Sequence, residues 1–127
     1  MSKYVLDASA ILAFLNEEPG SERVAQVIEG ASVSTVNLSE VITKLIDTEM
    51  PEDEIALVMD YLAVQIQVYD PEDAWHTARL RAATRNQGLS LGDRACLGLA
   101  QKLGHTALTA DRAWGELAID IPVELLR

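Results

Sequence analysis

Apolar positions along this chain follow two alternating rhythms. Short β-rich runs occur at Lys3–Leu6, Ser32–Val36, Gln65–Tyr69, Thr106–Thr109 and, more weakly, Ile121–Val123. Between them the apolar residues recur at helical spacing, as in Leu38, Val41, Ile42, Leu45 and Ile46, which predicts amphipathic helices. The predicted helices are Ala10–Leu15 with Ser9 as its cap, Ser21–Glu29, Leu38–Thr48, Pro51–Tyr61, Asp70 to about Asn86, and Leu91 or Gly92 to Leu103. A short helical turn is predicted at Arg112–Glu116. Asp70-Pro71 is a capping acid followed by proline in the first turn, and Gly30, Gly88 and Gly104 stand where helices should stop. In the third run Ile66 and Val68 alternate with Gln65 and Gln67, the pattern of a strand at a sheet edge with one wet face. Pro122 confines the last run to an edge as well. Strands alternating with longer helices predict an α/β fold with a mainly parallel sheet.

Length then limits this pattern to one domain spanning residues 1–127. The 49% hydrophobic content supports a core without covalent staples. Cys96 is the only cysteine, so no intramolecular disulfide can form, which fits a reducing, cytoplasmic setting. No apolar run reaches the ~20 residues of a membrane span, and no signal-peptide pattern is expected at the N-terminus.

The formal net charge of −10 argues at first against a nucleic-acid partner, but the charge is unevenly spread. Up to Asp73 the basic residues are only Lys3, Arg23 and Lys44. From Ala74 to Arg112 there are Arg79, Arg81, Arg85, Arg94, Lys102 and Arg112, against Asp93 and Asp111. One half could repel a polyanion while the other attracts it. The acidic half could equally be a solvated surface or suit a basic protein partner.

Four acids obey one placement rule. Asp7 ends the first strand, Glu40 follows the second, Asp93 opens the helix after "LSLG", and Asp111 lies just past the fourth strand. In a parallel sheet these strand ends point one way, toward the crevice where ligands gather. Three of these acids also have a purely structural reading, whereas Asp7 is harder to explain that way because Ser9 is already placed to cap the helix. "Asn37-x-x-Glu40" and "Ser90-x-x-Asp93" look like capping boxes, Asp111 could be a cap, and first-turn acids are favoured by the helix dipole. Taken jointly, carboxylates crowded at one rim would raise one another's pKa, and a divalent cation would compensate their charge. A donor set of oxygens alone points to Mg²⁺ or Mn²⁺ rather than Zn²⁺. Such a metal could activate a water against phosphorus.

The stretches "VLDASA", "NLSE", "LSLGDRACLGLA" and "ALTADRAW" occur in this order across nearly the whole chain. In that order and spacing the sequence resembles the PIN-domain family, and within it the VapC-type ribonucleases of toxin–antitoxin pairs. The resemblance implies a three-layer fold with a five-stranded sheet flanked by helices, and Mg²⁺- or Mn²⁺-dependent endonucleolytic cleavage of RNA. It also implies a homodimer and inhibition by a cognate antitoxin whose C-terminal segment crosses the cleft. Asp7, Glu40, Asp93 and Asp111 match the family's acidic quartet as catalytic and metal-binding residues. Ser9, Asn37 and Thr109 match its supporting polar residues.

Arg94 and Arg112 each follow a quartet acid and could contact substrate phosphate or pair with neighbouring carboxylates. Arg81 and Arg85 share a helix face that could be a phosphate track or simply solvated. Cys96 falls on an apolar stripe and reads as core. Trp75 reads as core or dimer packing, and Trp114 as packing beneath the site. Glu116 is a possible outer acid, and His76 and His105 have no partner motif. The helices near residues 10–28 and 52–62 carry enough apolar residues for a dimer surface or for the core.

Two rival readings remain at this stage. A phosphotransferase could use Asp7 as a covalent nucleophile, although the haloacid-dehalogenase pattern wants a second acid where Ser9 stands. A binding domain of receiver-like or inactive nuclease type could keep the acids only for ion binding, although a receiver wants a late lysine where Asp111 and Arg112 stand.

Overall fold

The first strand, β1 (Tyr4–Leu6), lies at the centre of the sheet because both its faces are apolar. The computed structural model describes residues 2–127. Five strands, β1, β2 (Ser32–Ser34), β3 (Gln65–Gln67), β4 (Thr106–Thr109) and β5 (Val123–Leu125), form one sheet in the order β3-β2-β1-β4-β5. Every pairing is parallel. The helices are α1 (Ala8–Leu15), α2 (Ser21–Val27), α3 (Thr35–Asp47), α4 (Glu52–Tyr61), α5 (Pro71–Thr84) and α6 (Leu91–Leu103), with one-turn 3-10 segments at Arg85–Gln87 and Arg112–Glu116. Among the described residues no helix is long and apolar enough to cross a membrane.

Because successive strand residues face opposite sides, β1 and β4 each feed two cores. Leu6 and Leu108 point into one core, where they meet Ile11, Val24, Val41 and Ile55 from α1–α4. Val5 and Ala107 point into the other, with Leu80, Cys96, Leu97 and Trp114. Helices therefore cover both faces, giving the expected three layers. Each fully buried Leu, Ile or Val contributes roughly 1.5–3 kcal/mol to this arrangement. On the second face α5 and α6 run antiparallel, with Asp73 beside Lys102 (3.2 Å) and the Thr77 backbone beside the Arg94 guanidinium.

The elements match the expected ones in kind and order, and they differ at their ends. Helix α1 starts at Ala8, because Asp7 rather than Ser9 caps it. Helix α3 starts at Thr35 under a Ser34 cap, which shortens β2 and places Asn37 and Glu40 inside the helix rather than in a capping box. Both β3 and β5 are edge strands, as expected. In β3, however, Ile66 is exposed along with Gln65, as is Val68 just past the strand, and Gln67 is half-buried with its amide reaching the Ser32 hydroxyl (3.4 Å). Strand β5 lies two residues later than its apolar run suggested. Ile121 is drawn into the core, Pro122 gives its carbonyl to the Ala107 amide (2.9 Å), and ladder pairing starts at Val123. Trp75 is not core: it is 65% exposed and stacks against the Arg79 guanidinium.

Candidate active site

The order of the strands reverses at β1, whose neighbours β2 and β4 are followed in opposite directions across the sheet. A crevice opens beyond the carboxyl ends of strands at such a point. Asp7 leaves β1 there, and Asp111 leaves β4 one position past Ala110. Glu40, on the second turn of α3, and Asp93, in the first turn of α6, reach the same crevice from the β2 side and the second helical layer. Asp7, Glu40, Asp93 and Asp111 together line one open cleft of about 230 Å³. A wider depression of about 640 Å³ lies at the other end of the sheet, around Tyr4, Val27 and Gly30, and among the described residues Glu29 is its only carboxylate.

Asp7 is the buried member, with 5% of its surface exposed. One of its oxygens accepts from the Ala10 amide (2.9 Å) and the Ser9 hydroxyl (2.7 Å). The other accepts from the Thr109 hydroxyl. Ser9 also lies 3.2 Å from the Thr109 hydroxyl and accepts from the Ala110 amide (2.9 Å), so the two hydroxyls brace the end of β4 against the start of α1. Burial pushes the Asp7 pKa up to about 6, against the opposing pull of Thr109, the Ala10 amide and Ser9, and the charge of Asp93 adds to the rise. A carboxylate offers about four acceptor positions. Three are taken by protein donors here, and one remains toward the cleft.

The other three acids each spend one oxygen on a local donor. Asp93 completes a capping box with Ser90, accepting from the Ser90 amide (3.0 Å) through Oδ2. Asp111 caps the following 3-10 segment through Oδ1, which accepts from the Ala113 amide (3.0 Å). That segment is anchored by Trp114, which is buried beneath it as expected. Glu40 accepts from the Asn37 side-chain amide through Oε1 (2.9 Å), and the same amide group donates to the Gly92 carbonyl (3.0 Å). Among the described residues the second oxygen of Asp93, Glu40 and Asp111 has no protein donor. Capping and site formation therefore coexist: the cap fixes one oxygen and leaves its twin for the cleft.

Gly92 is the residue that admits Glu40. A Cβ at position 92 would stand 2.5 Å from the Glu40 carboxyl carbon. Only a glycine lets the carboxylate lie flat against the first turn of α6.

All four acids present oxygen donors only, the set a hard divalent cation takes. Cys96 is fully buried, and its thiol is held well above the usual range by burial and then by the negative field of Asp7, Asp93 and Glu40. His76 lies by Glu72 on α5. Among the described residues no three His, Cys, Asp or Glu side chains close into a ready-made cage. Mg²⁺ does not need one, since it keeps several waters and binds through one or two carboxylates. The chemistry of the donor set therefore fits such an ion.

The PIN-domain family model matches residues 4–120. The chain belongs to the PIN-domain family. Solved structures similar to this PIN domain include a DNA-bound VapBC from Salmonella typhimurium, at 24% identity and TM-score 0.78 over all of both chains. A toxin–antitoxin complex from Klebsiella pneumoniae matches at 15% identity and TM-score 0.75, with 98% of each chain covered. FitAcB from Neisseria gonorrhoeae matches at 18% identity and TM-score 0.72, with 97% of each covered. No curated protein matches the sequence.

Of the residues singled out in the sequence, this PIN domain brings the four acids to one cleft and sets Ser9, Asn37 and Thr109 directly against them. Two arginines go elsewhere. Arg94 turns away and donates to the Thr77 carbonyl (3.0 Å), so it neither faces the cleft nor pairs with a carboxylate. Arg112 is exposed, does not line the cleft and has no ion-pair partner among the described residues. Glu116 is exposed and also stands outside the cleft. Arg81 and Arg85 are exposed on α5 and the segment after it. The sequence reading passed over two residues, Gly92 and Lys44. Lys44 lines the cleft, and its position four residues after Glu40, on the same helix face, was the signal that could have found it.

Proposed function

We propose that this PIN domain is a divalent-metal-dependent endoribonuclease and the toxin of a toxin–antitoxin pair. The observation that carries this reading is the common cleft of Asp7, Glu40, Asp93 and Asp111, in which three acids keep one oxygen free of donors among the described residues. Mg²⁺ or Mn²⁺ would be held by Asp7 and Asp93, with Glu40 and Asp111 flanking it. When bound, the ion would supply Lewis acidity toward a phosphoryl oxygen and a water of lowered pKa.

The chain's own residues supply the rest. Thr109 and Ser9 keep Asp7 oriented and lower its proton affinity against the cost of burial. Asn37 holds Glu40 so that its outer oxygen can orient or deprotonate a water in the cleft. Asp111 lines the same cleft, on a cap whose anchor is a buried tryptophan. A Ser–His or Cys–His pair is not required for this chemistry.

The toxin assignment draws on the similar structures that are toxin–antitoxin complexes and on the net charge of −10, which favours a basic antitoxin segment electrostatically. A homodimer completes the reading, and light scattering should give twice the chain mass of 13.8 kDa.

The test is incubation of purified protein with structured RNA, with and without Mn²⁺, beside Asp7→Asn and Asp93→Asn. Metal-dependent cutting that both variants lose is the expected result. A covalent aspartyl-phosphate, or metal uptake without turnover, would overturn it in favour of a phosphotransferase or a binding domain.

A further inference from the structure

The cleft holds four acids and one base. A site of that charge repels RNA, and a bound cation offsets only part of the repulsion. Among the described residues Lys44 is the sole cation lining the cleft. It sits on α3 one turn beyond Glu40 and is exposed. At that spacing a Glu–Lys pair would be ordinary for a helix surface. The pair does not form: the Glu40 carboxylate is drawn to the Asn37 amide and packed on Gly92, and among the described residues no carboxylate lies within 4.0 Å of the Lys44 ammonium. The cations next to the quartet in sequence do not replace it, since Arg94 is engaged with the Thr77 carbonyl and Arg112 stands outside the cleft.

We infer that Lys44 grips a backbone phosphate of the RNA substrate at the mouth of the carboxylate cleft, an inference that rests on the ribonuclease reading above. An ammonium on a flexible stem is a point charge that engages a phosphate without reading a base.

Lys44→Ala and Lys44→Arg test this in the full chain with Mn²⁺ and an RNA substrate. Lys44→Ala should raise KM about tenfold while kcat stays within about twofold, the loss expected for one charge-assisted contact. The slope of log kcat/KM against log salt should shallow by about 0.7, the contribution of one single-strand phosphate contact. Lys44→Arg should restore KM. Mn²⁺ affinity, measured by calorimetry without RNA, should be unchanged or tighter in Lys44→Ala, because a cation has left the metal's surroundings. Unchanged KM and salt slope in Lys44→Ala, with wild-type protein cutting normally, would overturn the inference alone. Loss of Mn²⁺ binding in Lys44→Ala would overturn it in favour of a role in building the metal site. Failure of the wild-type protein to cut any RNA would remove the ribonuclease reading and this inference together.

Discussion

Replacing Asp7 by Asn should stabilise the metal-free protein at neutral pH while destroying its capacity for metal. Burial raises the Asp7 pKa from the usual 3.8 to about 6. Each pKa unit corresponds to about 1.36 kcal/mol, so an ionised Asp7 costs the native state about 3 kcal/mol relative to an ordinary carboxylate. An acid whose folded pKa is raised binds more protons in the native than in the unfolded state between the two values. Its contribution to stability therefore falls as pH rises from about 4 to about 6, and is level above. Asn keeps an acceptor for the Ala10 amide and Ser9, but it turns an amide group toward Thr109. That hydroxyl must then accept instead of donate, at a cost of about 1 kcal/mol. The net gain is about 2 kcal/mol at pH 7.5, a rise in Tm of about 5–8 °C for a chain of this size. The assay is thermal unfolding of both proteins in EDTA at pH 4 and pH 7.5, repeated with Mn²⁺. The gain should disappear at pH 4, where both proteins carry a neutral side chain. With Mn²⁺ at a hundred times its Kd, the wild-type protein should gain about 2.7 kcal/mol and overtake the variant. A variant destabilised at pH 7.5 in EDTA, or one whose gain is the same at both pH values, would refute the reasoning that links burial of Asp7 to its pKa.

Further outcomes follow from the same geometry. Gly92→Ala should push the Glu40 carboxylate off the first turn of α6 and lower kcat at least tenfold while changing stability by less than about 1 kcal/mol, because the displaced atoms end a flexible side chain; paired cleavage kinetics and urea unfolding would check this. Thr109→Val removes a hydrogen bond that lowers the Asp7 pKa, so the pH midpoint of Mn²⁺ binding should move upward, as read by calorimetry across pH 5–8, and stability should fall by about 1–3 kcal/mol. The Cys96 thiol is fully buried and its pKa is raised, so a thiol reagent at pH 8 should label it only at the rate of global unfolding.

The order of elements was legible in the sequence because each apolar run matched a single period. The four acids were legible because every one follows a strand or opens a helix at the carboxyl end of a parallel sheet. Element ends were harder, because side-chain oxygens compete for the same amides. Asp7 and Ser9 are both plausible caps for the Ala10 region, and only the packing of Thr109 against Asp7 decides between them. Strand β5 was misplaced because Ile121 serves the core and not the ladder. The alternation in β3 was misjudged in part: Gln65 is in solvent as expected, but an edge strand can also leave Ile66, and Val68 beyond it, in solvent while Gln67 bonds inward to Ser32. Arg94 was misread because adjacency to Asp93 in sequence says nothing of direction on a helix, where neighbours point about 100° apart. Gly92 and Lys44 were missed for the converse reason. Gly92 matters through its contact with Glu40 across two helices, which no local motif encodes, and Lys44 through its place at the cleft, which only its spacing from Glu40 on α3 hinted at.

Titration of the metal-free protein with Mn²⁺ by calorimetry or electron paramagnetic resonance at pH 7.5, beside Asp7→Asn and Asp93→Asn, tests the central claim most directly. Saturable uptake by the wild-type protein that both variants lose is the predicted result. No uptake by the wild-type protein, or equal uptake by all three, would contradict the claim that the four carboxylates share a divalent cation.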